Sequence, residues 1–114
     1  EIIRILGVDG ALYKTLEFTG DAIQYLSMDD RFSLCNMAIE AGAKNGIVAY
    51  DEITKEFLDQ TAELNGGLRA EPKIHYSDED AVYTRVIEID TDKLEPVIAY
   101  PFLPSNGHSQ AVAR

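Results

Sequence analysis

The sequence predicts a layered α/β domain with a mixed sheet. Three observations lead there. Residues 28–43 carry apolar side chains at helical spacing. The residues just after them, Gly46-Ile-Val-Ala-Tyr50, form an apolar run of strand length. Helical and extended patterns then alternate along the rest of the chain.

Taken in order, Glu1–Leu6 (EIIRIL) reads as the tail of a helix whose beginning lies outside the chain, stopped by Gly7, with residues 7–10 as a turn. Ala11–Thr19 suits a strand, with Leu12, Leu16 and Phe18 apolar and Lys14 and Glu17 polar. Asp21 is placed to cap a short helix that ends at Leu26. The main helix follows. Ser27 with Asp30 three residues on makes a capping-box start, and Gly42 and Gly46 are available to close it. At 100° per residue Met28, Phe32, Cys35, Ile39 and Ala43 share one stripe. Leu34, Met37 and Ala41 add a second apolar flank, so the helix is expected to be largely buried.

After the strand ending at Tyr50, Asp51 suits an N-cap. Glu52–Leu64 carries Ile53, Phe57, Leu58, Ala62 and Leu64 at helical spacing, and Asn65-Gly-Gly67 ends it. The glycine pair is no phosphate loop, since no strand leads in and no Lys-Ser/Thr follows. Residues 68–80 read as a polar loop containing His75, a surface residue without a metal-spaced partner. Its Ser77-Asp-Glu-Asp80 lacks the glycine and closing glutamate of a calcium loop. Tyr83–Asp90 alternates as a strand should, Asp90–Lys93 makes a turn, and Val97–Tyr100 suits a last strand. From Pro101 the composition changes to Pro, Gly, Ser and Asn without periodicity. Residues 1–100 are therefore expected to form the domain and 101–114 an interdomain linker with a mobile end, carrying His108 without a role.

Composition narrows the function. A chain of 114 residues, 46% of them apolar, holds one domain with a modest core. A net charge of −10, with ten Lys and Arg forming no stripe, argues against a nucleic-acid partner. It also means that an anionic substrate needs cations from elsewhere. No signal segment and no apolar run of membrane-spanning length is present, which suits a soluble piece of something longer with no membrane partner. The one cysteine, Cys35, excludes a disulfide framework and suits a reducing cytoplasm. It falls on the apolar stripe, where an inert buried thiol is expected, and a single thiolate cannot hold an iron–sulfur cluster. No metal ligands are assigned.

Between the two apolar flanks runs a polar ridge: Asp29, Ser33, Asn36 and Glu40. It reads either as a solvated helix face or as a buried helix presenting an amide and a carboxylate, Asn36 and Glu40, into a site. At i and i+4 the two side chains of a regular helix point the same way. Asp29 and Ser33 need no role beyond capping and solvent contact, and Arg31, across the helix, suits a structural ion pair.

The stretch LEFTGDAIQYLSMDDRFSLCNMAIEAGAKNGIVAYDEIT, Leu16 to Thr54, resembles the aconitase superfamily, and most closely its isopropylmalate dehydratase branch, with homoaconitases as the chief rival. The family pattern here is roughly EF-G-AI--LSMEGRMT-CNM-IEAGA--G--APDE-T. Asp30 stands where Gly is usual and Tyr50 where Pro is usual. Neither departure touches Asn36 or Glu40. The resemblance implies the second of three related α/β domains in a longer chain. It implies a hydro-lyase that dehydrates a 2-hydroxy acid such as 2-isopropylmalate and rehydrates the alkene at the neighbouring carbon, a step of leucine biosynthesis. It further implies a 4Fe-4S cluster held by cysteines outside this chain, and a small subunit, the swivelling domain, as partner. On the matching positions, Glu40 corresponds to the catalytic carboxylate beside the departing hydroxyl, and Asn36 to the amide against cluster and substrate. The 114 residues alone are expected to be inactive. From a different class, a free-standing acidic binding or regulatory domain without cluster chemistry also fits the length and the single cysteine.

Overall fold

A computed structural model describes residues 1–67, 70 and 72–110. Parts of the expected polar loop and linker, at 68, 69, 71 and 111–114, lie outside the described residues.

The chain begins with helix α1 (Ile2–Leu6), ended by Gly7, as the sequence predicts. Strand β1 (Thr15–Phe18) is shorter than the expected Ala11–Thr19. It leads through a 3₁₀ turn at Asp21–Tyr25, whose N-cap is Gly20 rather than Asp21, into helix α2 (Met28–Asn36). The rod then tightens to 3₁₀ over Met37–Ala41 before strand β2 (Asn45–Val48). β1 and β2 pair in parallel, Thr15 opposite Asn45 and Phe18 opposite Val48, so residues 15–48 form a βαβ unit. Helix α3 (Glu52–Asn65) follows, closed by Gly66 in the left-handed region at φ 79°. Beyond it, a 3₁₀ turn at Thr91–Lys93 precedes a separate antiparallel pair, β3 (Val97–Ala99) and β4 (Gly107–Ser109). Parallel and antiparallel pairing are both present, in two small two-stranded sheets, and the fold is α/β.

Two expectations from the second half differ from the structure. Tyr83–Asp90 keeps its alternation, with Ile87 and Ile89 half-buried, but forms no ladder among the described residues, because alternation marks a face and pairing needs a neighbour. β4 lies inside the stretch that reads as linker, and its hairpin with β3 straddles residue 100. Asn, Gly, Pro and Ser serve turns as readily as linkers, which is why composition does not separate the two. His108 accordingly has a place: its ring stacks on Tyr100 at 4.6 Å, and Nε2 lies 3.0 Å from Asn106 Oδ1.

The core sits where the βαβ unit turns back on α1. Among the described residues the fully buried apolar ones are four alanines, Ala11, Ala38, Ala41 and Ala43, with Leu6 and Leu16 packed against them. Backbone bonds bind this region: Ala11 N–H donates to Ala41 O at 2.9 Å, and Lys44 N–H to Lys14 O at 2.8 Å. Gly42, at φ 79°, turns the chain between them, as the sequence predicts. The molecule is open. Its radius of gyration is 16.6 Å, against about 13 Å for a compact domain of this length.

Gly46, by contrast, does not close the helix. It is the point where β2 passes beneath α2, and a Cβ there would stand 2.8 Å from the Cα of Cys35 and from the Phe18 ring. Gly46→Ala should therefore cost about 1–3 kcal/mol, as overpacking does. A thermal midpoint unchanged from wild type in the full-length protein would show that strand and helix part freely here.

Candidate functional site

The α2 rod is held at its start by chemistry legible in the sequence. Ser27 Oγ accepts from Asp30 N–H at 3.2 Å while the Asp30 carboxylate accepts from Ser27 N–H at 3.0 Å, the reciprocal capping box. The Ser27 hydroxyl, donating to the Asp30 carboxylate at 2.6 Å, and with it the Ser27 N–H hold the Asp30 carboxyl below its ordinary range. Ser33 Oγ donates to the Asp29 backbone carbonyl at 2.9 Å, which turns the serine inward on the helix backbone.

Behind the rod lies Arg31, 2% exposed and the buried charged residue among those described. Its guanidinium meets Asp51 in a fork, Nη1 to Oδ1 and Nη2 to Oδ2, both at 2.6 Å. It also donates to Thr54 Oγ1 at 3.2 Å, Ile23 O at 3.0 Å and Leu26 O at 3.2 Å. The expected ion pair is thus present, and its acid is the N-cap of α3, where Asp51 Oδ1 also accepts from Thr54 N–H at 3.0 Å. The guanidinium holds the Asp51 carboxyl well below the usual carboxylate range.

That shift sets a pH dependence. The unfolded chain takes up this proton near pH 4, whereas the folded one resists it to lower pH. Below about pH 4 the unfolded state binds more protons, so stability falls as pH falls. The contribution is whole above that range and is lost below it. Thermal midpoints of wild type and Asp51→Asn, taken from pH 7 down to pH 3, should converge as acid is added. Parallel curves over that range would remove Asp51 from the account.

Cys35 is half-buried on the rod. Burial pushes its thiol up, partly offset by a hydrogen bond from the Val48 backbone. That keeps it protonated and unreactive, as expected of an apolar-face thiol.

The front of the rod carries Asn36 and Glu40. Asn36 is the last residue of α2 and Glu40 lies in the 3₁₀ segment; both are exposed, and neither has a side-chain hydrogen bond or ion pair among the described residues. The expectation that they point the same way assumes α-helical winding throughout. Four steps at 100° leave about 40° between them, whereas 3₁₀ winding at 120° per residue opens that toward about 120°. The two side chains therefore leave one rod from adjoining faces. They lie where α2 leads into β2, away from the Arg31 end.

Around them the expectation of a largely buried helix is overturned. Phe32 is 50% exposed, Met37 49% and Ile39 63%, and the buried side of the rod is Arg31 with Ala38 and Ala41. The spacing identified the apolar positions correctly. It cannot say what covers them. Two free polar groups in an apolar rim suit a site completed by another surface.

Among the described residues no group of three or more His, Cys, Asp or Glu side chains is placed to hold a metal. With one cysteine in the chain, the residues present do not fit a 4Fe-4S cluster. No described helix is long and apolar enough to cross a membrane.

The chain is similar to known proteins over nearly its whole length. The profile of the aconitase family (aconitate hydratase) matches residues 1–112. A protein of Aliarcobacter butzleri described as 3-isopropylmalate dehydratase large subunit is 87% identical over 113 residues, which is 99% of this chain and 26% of that protein. Proteins of the same description from Sulfurovum sp. and Nautilia profundicola are 76% and 71% identical, over 94% and 98% of this chain and 25% and 27% of theirs. The chain spans about a quarter of the length of these relatives.

Proposed function

Because the chain belongs to the aconitase family, we propose that it is part of the large subunit of a hydro-lyase that interconverts 2-isopropylmalate and 3-isopropylmalate through isopropylmaleate. The observation that carries this is the 87% identity, across 99% of the chain, to a protein described as 3-isopropylmalate dehydratase large subunit. Residues 1–100 are then one domain of that subunit, and 101–114, which supply the second strand of the hairpin, lead out of it.

Dehydration of a 2-hydroxy acid faces two barriers: hydroxide leaves poorly, and the proton on the neighbouring carbon is weakly acidic. A protonated carboxyl within hydrogen-bond reach of the departing hydroxyl gives it a proton, so that it leaves as water, while a base outside these residues takes the proton of the neighbouring carbon. The carboxylate left behind takes a proton back when water adds to the other carbon. Glu40, exposed and unpaired, is proposed for this role. Asn36, whose amide both donates and accepts, orients the substrate beside it. Family enzymes generally use a 4Fe-4S cluster; its ligands are cysteines this chain does not contain, so they belong to the rest of the subunit. The cations that a dicarboxylate substrate needs are likewise proposed to lie elsewhere, with a small subunit as partner and the cytoplasm as location.

The test uses the full-length large subunit, reconstituted anaerobically with iron and sulfide and mixed with its small subunit. Alkene absorbance is followed with 2-isopropylmalate, homocitrate and citrate in parallel. Turnover of 2-isopropylmalate alone is the expected result. Turnover of homocitrate alone moves the assignment to homoaconitase, and silence on all three with the cluster intact overturns it.

A further inference from the structure

We propose that Arg31 is a positioning residue: its guanidinium sets the rotation of the α2 rod about its own axis and so aims Glu40. The inference rests on the reading of Glu40 given above.

Few other contacts fix that rotation. Past Arg31 the buried side of the rod consists of Ala38 and Ala41, methyl groups that present little relief to a neighbouring surface, with one backbone bond, Ala11 N–H to Ala41 O at 2.9 Å, at its far end. Phe32 adds one edge-on contact with Phe57 at 5.5 Å and is itself half exposed. Arg31 is different in kind. Its acceptors come from two sides: Ile23 O and Leu26 O in the segment before α2, and Asp51 and Thr54 at the start of α3. A planar fork held from both sides resists turning in a way that alanine contacts do not.

The lever is long enough to matter. Helical side chains reach about 5–6 Å from the axis, so a 20° turn of the rod carries a carboxylate about 2 Å. Misplacement of about 1 Å is enough to cost a reaction on the order of 10²-fold. Arg31 sits on the buried side and touches nothing that reacts, so its effect must pass through the groups on the front.

Glu40→Gln is measured first, in the full-length large subunit carrying its cluster and mixed with its small subunit. Turnover unchanged by that variant defeats the reading of Glu40 itself, before Arg31 is touched. Arg31→Lys is then measured in the wild-type and Glu40→Gln backgrounds. Lysine keeps the charge and loses the fork. Alone it should lower kcat about tenfold or more, with KM within about twofold and iron content and visible absorbance unchanged. In the Glu40→Gln background it should cost less than about twofold, because the group being aimed has already lost its function. The same factor in both backgrounds means general loosening and overturns the proposal. Should Arg31→Lys fail to fold, Thr54→Val, which removes one acceptor of the guanidinium and keeps the ion pair, runs through the same comparison. A factor confined to the Glu40 background supports the proposal and an equal factor in both overturns it.

Discussion

Glu40→Gln in the complete enzyme lowers turnover by about 10²-fold or more, the range for loss of an acid–base group, and leaves KM nearly unchanged. Glutamine keeps the size and the hydrogen-bonding reach of the side chain and removes only the ability to give or take a proton. The rod beneath should not notice, because Glu40 is exposed and makes no side-chain bond among the described residues. A thermal midpoint equal to wild type is therefore part of the expected result, and it separates this variant from one that merely unfolds the site. Turnover within a few-fold of wild type would sink the assignment. A large rise in KM with kcat intact would turn Glu40 into a binding group rather than a proton carrier.

The second large effect is on stability, and it is asymmetric. Removing Asp51 leaves a guanidinium that is almost wholly buried, with two carbonyls and a hydroxyl to accept from it but no countercharge. Asp51→Ala should cost about 3 kcal/mol. That is the low end for breaking a buried pair, because the Asp51 side chain is 35% exposed and water can follow. The same change also removes the cap of α3. Removing the other partner is milder. Arg31→Met leaves a carboxylate that water can reach and that still accepts from Thr54, with an apolar chain of similar length in the arginine's place. About 1–2 kcal/mol is expected there. Denaturant midpoints of the two full-length variants decide the matter. Equal losses, or a larger loss in Arg31→Met, would mean that burial of the guanidinium is not what makes the pair costly to break.

The parts of the molecule that local chemistry dictates were legible in the sequence. The Ser27–Asp30 box, the Asp51 cap, Gly42 as the turn and Gly66 as the end of α3 each depend on residues within a few positions of one another. The ion pair of Arg31 was legible as a class, though not its partner, which stands 20 residues on. What stayed hidden has one physical source. Periodicity reports which side of an element is apolar, not what covers it. Phe32, Met37 and Ile39 obey the helical spacing yet stand half exposed, and Tyr83–Asp90 obeys the strand spacing yet pairs with nothing described. Periodicity offers Asn36 and Glu40 only as one of two readings of the polar ridge, and the resemblance is what selects them. The tightening of the rod between them leaves no mark in the residue pattern.

The alanine core inverts the usual map of mutational tolerance. In most interiors the damaging change is loss of volume, because cavities form. At positions 11, 38, 41 and 43 there is only a methyl group to lose, so shrinkage is the mild direction and growth the severe one. A saturation scan of these four sites would rank residues by bulk rather than by hydrophobicity, placing Ser and Gly above Val and Leu. Evolution at such positions is left with few alternatives, and the βαβ unit can drift elsewhere while its centre stays small.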